Sequence, residues 1–151
     1  KRDLVFWVGD DVVFETQNWD LEVIKEFEKY PDKVLLVYGN DSHQGKDLAT
    51  HFIVHRNWID TLGHVVPSIF PGDWVDNWVT DISKSLGRLV YREDLKFTHY
   101  HVAAGTAPMD STYEEKYRRD IHARPMDIYR DNTEKRESDK NKLKEFINSH
   151  A

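Results

Sequence analysis

The sequence predicts an α/β fold, a sheet flanked by helices with a charged helical extension at its C-terminal side, and three observations predict it. Two unbroken apolar runs rich in β-formers, Leu4-Val5-Phe6-Trp7-Val8 and Val34-Leu35-Leu36-Val37-Tyr38, end in turn-prone residues and read as strands buried on both faces. Between them lies a segment of helical spacing, and strand, helix, strand in succession is the mark of an α/β sheet. The composition then changes near residue 109. All seven glycines and all five tryptophans precede that point, whereas residues 110–151 hold ten acids and ten bases. Residues 1–109 therefore read as the compact body and residues 110–151 as the extension.

Leu4 to Val8 is expected to be a central strand, ended by Gly9. Asn18 is a fair N-cap for a helix carrying Leu21, Ile24 and Phe27, with Asp20 and Glu22 in its first turn, and Pro31-Asp32 stops it. Val34 to Tyr38 is the second strand, closed by Gly39-Asn40-Asp41; a polar loop runs from there to Asp47. Arg56 to Leu62 reads as a short helix ended by Gly63. The clearest helix carries Trp74, Val75, Trp78, Val79, Ile82 and Leu86 on an arc of about 140° and stops at Gly87. Asp73 can cap it, which puts Asp76 at its third position, beside the apolar arc and not within it. Two strands follow: Arg88 to Tyr91, and a second whose alternation sets Leu95, Phe97, His99 and His101 on one face. In the extension, Tyr113 to Arg119 and Glu134 to Ile147 have helical spacing with a thin stripe of Leu143, Phe146 and Ile147, as a solvated helix packing lightly on the body or on a partner would. The loop Gly105 to Asp110 is assigned no chemistry.

At 151 residues and 39% hydrophobic content, the chain is long enough to bury a real core, roughly 70% of the unfolded surface at this size. Its net charge of −6 repels phosphate backbones and argues against general nucleic-acid binding. No apolar run approaches the length of a bilayer span, and Lys1-Arg2-Asp3 leads straight into a strand-like stretch instead of a signal peptide. A soluble, cytoplasmic protein is expected. Cysteine is absent, so disulfides, thiolate metal sites and cysteine nucleophiles are excluded together. Any metal must sit on carboxylates and imidazoles.

Three constellations can carry chemistry. Asp10 and Asp11 stand just past the end of a buried strand, where open α/β sheets bind their ligands, and their hard oxygens suit Mg²⁺ or Mn²⁺. A solvated turn is the plain alternative. His99-Tyr100-His101 sets two imidazoles on one strand face, as metal ligands or as ordinary polar histidines. Asp73 and Asp76 sit at a helix start, where capping competes with a catalytic role.

In this order the motifs resemble the metal- and acceptor-binding half of a family 2 glycosyltransferase with the GT-A fold. Leu4 to Val12 is similar to that family's strand and Asp-x-Asp motif, with Gly9 in place of the first acid; Phe70 to Trp78 is similar to its general-base segment; and Glu93 to His99 is similar to its late strand ending in histidine. The resemblance spans residues 3–105 and implies a partial GT-A-like mixed sheet. It implies that Asp11 binds Mn²⁺ or Mg²⁺ with His99, or alternatively His101, as a further ligand, and that Asp10 lies nearer the nucleotide ribose or the metal's waters. It further implies that Asp76, or Asp73, takes the proton from an acceptor hydroxyl while the sugar leaves a nucleotide-sugar donor with inversion. Asn40, Asp41 and Lys46 are then expected near donor and acceptor. The family's nucleotide-binding βαβ units would precede Lys1, and a partner chain is one source of that missing half. Trp58, Trp74 and Trp78 offer a stacking face for sugar, but the helical spacing of Trp78 favours core packing. Two other readings compete: a noncatalytic binding or assembly module of the same shape, and a metal-dependent hydrolase built on His99-Tyr100-His101.

Overall fold

A computed structural model of the chain describes residues 3–150; Lys1 and Arg2, which open the leaderless reading of the N-terminus, and Ala151, the last residue of the extension, lie outside the described residues. Strands β1 (Leu4–Trp7), β2 (Val12–Phe14), β3 (Leu36–Asn40), β4 (Phe52–His55) and β5 (Leu89–His99) form one sheet in the order β1-β4-β3-β5-β2. β3 and β5 run parallel and the other neighbours antiparallel, so the sheet is mixed. The helices are α1 (Trp19–Glu28), α2 (Arg56–Leu62), α3 (Val75–Ser85), α4 (Ser111–Ala123), α5 (Pro125–Asp131) and α6 (Thr133–Ser149). None is long and apolar enough to cross a membrane, among the described residues.

Alternation along the strands divides the core into two halves. Leu35, Val37, Ile53, Leu95 and Phe97 meet Val23 and Phe27 of α1 on one face. Leu36, Tyr38, Phe52 and Val54 meet Trp58, Trp78, Ile82 and Leu143 on the other, beneath α2, α3 and α6. β3 is apolar through Leu36, Val37 and Tyr38 because both of its faces are covered there.

Several expectations are corrected. β1 is the edge strand of the described sheet and not a central one, with Trp7 40% exposed. An apolar run reports what lies above and below a strand, not what lies beside it. α1 turns Val23, Glu26 and Phe27 inward and leaves Leu21 and Ile24 exposed. Asn18 has φ 56 and makes no side-chain cap; its carbonyl accepts the Leu21 and Glu22 N–H groups instead. β2 and β4 were not anticipated, although Phe52-Ile53-Val54 is an apolar run of the right kind. The α6 part of the extension is no solvated helix. Leu143 is fully buried in the main core, Phe146 and Ile147 pack against it, and the Arg136 guanidinium lies 5.3 Å from the Trp78 ring centroid.

One bend in β5 positions the site. The strand first pairs with β3 as far as Gly39 opposite Arg92; the register then jumps to Asn40 opposite Lys96, and the far end pairs with β2. The two strands expected here are therefore one bent strand. Gly39 permits the close approach, because a Cβ there would stand 2.3 Å from the Leu95 carbonyl oxygen. Arg92 secures the turn through Asp94 at 2.6 Å and Glu26 at 2.7 Å.

Candidate active site

At the rim where β5 ends, a cleft of about 920 Å³ opens between the β1–β2 loop, the start of α3 and α4. Asp10, Asp11, Asp76, His99 and His101 all line it, as do Asp73 and Trp74.

Val12 of β2 pairs with His99, the last residue of β5, and the Tyr100 N–H donates to the Asp11 carbonyl at 3.0 Å. This ladder sets the Asp11 side chain beside the His99 ring, Oδ2 to Nε2 at 3.2 Å. A Cβ at Gly9 would stand 2.5 Å from Asp11 Oδ1, so a side chain there would displace that carboxylate. Burial works to raise the Asp11 carboxyl, but the Tyr113 hydroxyl, donating to Oδ2 at 2.9 Å, and the His99 imidazole outweigh it and hold the group below its usual range. Asp10 is exposed at the cleft mouth.

His99 belongs to a cluster of four imidazoles. Its ring centroid lies 4.9 Å from His101 and 4.5 Å edge-on from His51, and His43 stacks on His101 at 5.5 Å. The strand stops at His99, so His101 is no longer on the same ladder; its Nδ1 accepts the Ala103 N–H at 3.1 Å. Burial, then the neighbouring His99, lowers the His51 pKa to about 4. Its Nδ1 accepts the Gly9 N–H at 3.4 Å, tying the residue that precedes β4 to the acidic turn.

At the head of α3 the expected cap is absent. Trp74 occupies the N-cap position with φ 74, a left-handed conformation that costs a bulky residue about 1–3 kcal/mol and concentrates at functional sites. Asp73 instead accepts from Lys116 Nζ at 2.7 Å. Asp76 is therefore the second helical residue and not the third. Burial pushes its carboxyl up, opposed by the Asn77 N–H that Oδ1 accepts at 2.9 Å and assisted by the charge of Asp73.

The loop after β3 contributes different residues from those expected. Asp41 Oδ1 accepts the N–H groups of His43, Gln44 and Gly45 at 3.0, 2.8 and 2.8 Å, so it builds the turn, while Lys46 offers its carbonyl to the Tyr38 hydroxyl. His43 and Gln44 face the cleft in place of Asn40, Asp41 and Lys46. Trp58 and Trp78 are core residues, at most 1% exposed. Tyr113, Lys116 and Tyr117 of α4 complete the wall, and no sequence signal pointed to them.

The Asp11–His99 spacing of 3.2 Å is close to the roughly 3 Å between adjacent donor atoms on a cation with bonds of about 2.1 Å. One carboxylate oxygen and one imidazole nitrogen fit Mn²⁺ or Mg²⁺, the imidazole favouring Mn²⁺. No group of three or more His, Asp or Glu side chains is arranged to hold a metal among the described residues. Neither the family models, nor the curated proteins, nor the solved structures contain a match to this chain.

Proposed function

We propose that the chain is a metal-dependent, inverting glycosyltransferase of GT-A type that moves a sugar from a nucleotide-sugar to an acceptor hydroxyl, with the cytoplasm as its compartment. The observation that carries the reading is the convergence of Asp11, His99 and Asp76, distant in sequence, on one cleft at the rim of the sheet.

Asp11 and His99 would hold Mn²⁺ or Mg²⁺, which when bound offsets the charge that develops on a departing diphosphate. Two protein donors suit that task, because such cations keep most of their sites for water and substrate phosphates. Asp76 acts as general base. Its burial raises its affinity for a proton, and with Oδ1 engaged by the Asn77 N–H, the other oxygen is left for an acceptor hydroxyl. A single carboxylate is enough for direct displacement, which leaves no covalent sugar on the protein. The nucleotide base would be held by βαβ units from a preceding segment or a partner chain, and the outer edge of β1, with Trp7 and Val8 exposed, offers them a place to join.

Calorimetric titration with Mn²⁺ and a panel of nucleotide-sugars tests the reading. Coupled binding of metal and nucleotide is the expected result; metal binding alone supports a hydrolase, and binding of neither supports the noncatalytic module. Asp76→Asn should keep the coupled binding and lower transfer by about 10²- to 10⁴-fold.

A further inference from the structure

The hold of α4 on the body differs in kind from that of the other long helices. It has no buried residue, and Ile121 is 74% exposed. A surface helix is ordinarily anchored by an apolar stripe, as α6 is by Leu143. α4 is well formed in itself, since Asp110 caps it by accepting the Tyr113 N–H at 3.0 Å. Its ties to the body are polar, and they run to the candidate site. Tyr113 donates to Asp11 Oδ2 at 2.9 Å and has the Tyr100 carbonyl at 3.3 Å; its ring meets His101 edge-on at 5.2 Å. Lys116 binds Asp73 at 2.7 Å, and the Arg119 guanidinium lies against Gly72, where a Cβ would come within 2.8 Å of Nη2. Left-handed residues flank the helix, Gly105 at φ 70 and Arg124 at φ 51, and the segments beyond them are anchored, β5 in the sheet and Pro125 buried. The element is a strap between two fixed points.

We propose that α4 is latched over the cleft by Tyr113, assisted by Lys116, and that the latch and a divalent cation on Asp11 oppose one another. This rests on the cation reading given above. Asp11 Oδ2 already accepts from the Tyr113 hydroxyl and faces His99 Nε2, so a cation placed between Asp11 and His99 shares that oxygen with the tyrosine and draws off the electron density its hydrogen bond uses. By reciprocity, whatever weakens the latch strengthens cation binding, and a seated cation loosens α4. A donor complex would thus open the strap, and its release would restore it.

Hydrogen exchange of the α4 amides, measured on the full chain as wild type, Tyr113→Phe, Asp11→Ala and the double variant, tests the latch without any metal. Each single variant should speed exchange about tenfold, the scale of one hydrogen bond to a charged group, and the double variant should be no faster than either single. Mn²⁺ titration of the same proteins tests the opposition: Tyr113→Phe should bind Mn²⁺ about tenfold tighter than wild type, and saturating Mn²⁺ should speed α4 exchange in the wild type. Unchanged α4 exchange in both single variants sinks the latch, whatever the metal does. Equal or weaker Mn²⁺ binding by Tyr113→Phe sinks the opposition. Loosened α4 in the single variants with no Mn²⁺ bound by the wild type or by Tyr113→Phe upholds the latch and overturns the cation reading itself.

Discussion

His51 stands edge-on to His99, ring centroids 4.5 Å apart, while its Nδ1 accepts the Gly9 N–H. It thereby joins the residue preceding β4 to the acidic turn and to the end of β5. Burial and the adjacent His99 lower its pKa to about 4 from 6.5, against the opposing charges of Asp41 and Asp11; His101 adds to the lowering. The folded state keeps it neutral where the unfolded chain would protonate it. The stability this represents is fully present above pH 6.5 and is lost as the pH falls toward 4, on the order of 3 kcal/mol in all. Urea unfolding from pH 7.5 to 4 should show a steeper loss for wild type than for His51→Gln; parallel curves would mean that His51 is not buried in its neutral form.

The Asp11–His99 pair predicts a graded response at the three candidate ligands. Asp11→Asn and His99→Gln should each weaken Mn²⁺ binding by more than about a hundredfold, since loss of mere supporting partners already costs 10- to 100-fold. His101→Gln should cost much less, because His101 Nδ1 is committed to the Ala103 N–H. Electron paramagnetic resonance of free Mn²⁺ reads all three, and a larger loss from His101→Gln than from His99→Gln would reverse the ligand assignment.

Gly39→Ala should be severely destabilising. The added Cβ would meet the Leu95 carbonyl oxygen at 2.3 Å and the Phe97 ring at 2.7 Å, and neither the bent backbone nor the packed ring can yield. A loss of about 3 kcal/mol, at the upper end for overpacking, is expected in chemical denaturation. Because the bend also carries His99 to the rim, the variant should bind Mn²⁺ poorly even where it remains folded.

Leu143→Ala separates a core helix from a solvated one. Leu143 is fully buried against the α2 and α3 layer, so truncation should cost about 2–5 kcal/mol. Ile121→Ala, at a side chain 74% exposed on α4, should fall within about 0.5 kcal/mol of wild type. Thermal unfolding distinguishes the two, and an unchanged Leu143→Ala protein would mean that α6 does not belong to the body.

Some features were legible because their signal is local. The run Val34 to Val37 is wholly buried in the structure, and β3 begins within it; the α2 stop at Gly63 has φ 82, and the alternation of Leu95, Phe97 and His99 shows in their burial. Others were illegible because they depend on distant partners. Asp73 has the residue type and spacing of a cap, yet Lys116, 43 residues away, takes its carboxylate. Val23 and Phe27 prevail over Leu21 and Ile24 in α1 because the position of the sheet selects the buried face, and the helix pattern admitted both.

The amino-acid order alone determined that the chain combines strands and helices around an apolar core, and that the candidate acidic and imidazole site residues lie in three short segments, because periodicity, turn residues and composition act over a few neighbours. Tertiary structure alone decided that β1 lies at an edge, that β5 shifts register opposite Gly39 of β3, and that Tyr113 reaches Asp11 across 102 residues of chain. Those outcomes are settled by which surfaces fit when the elements pack, a competition among distant groups that no local pattern encodes.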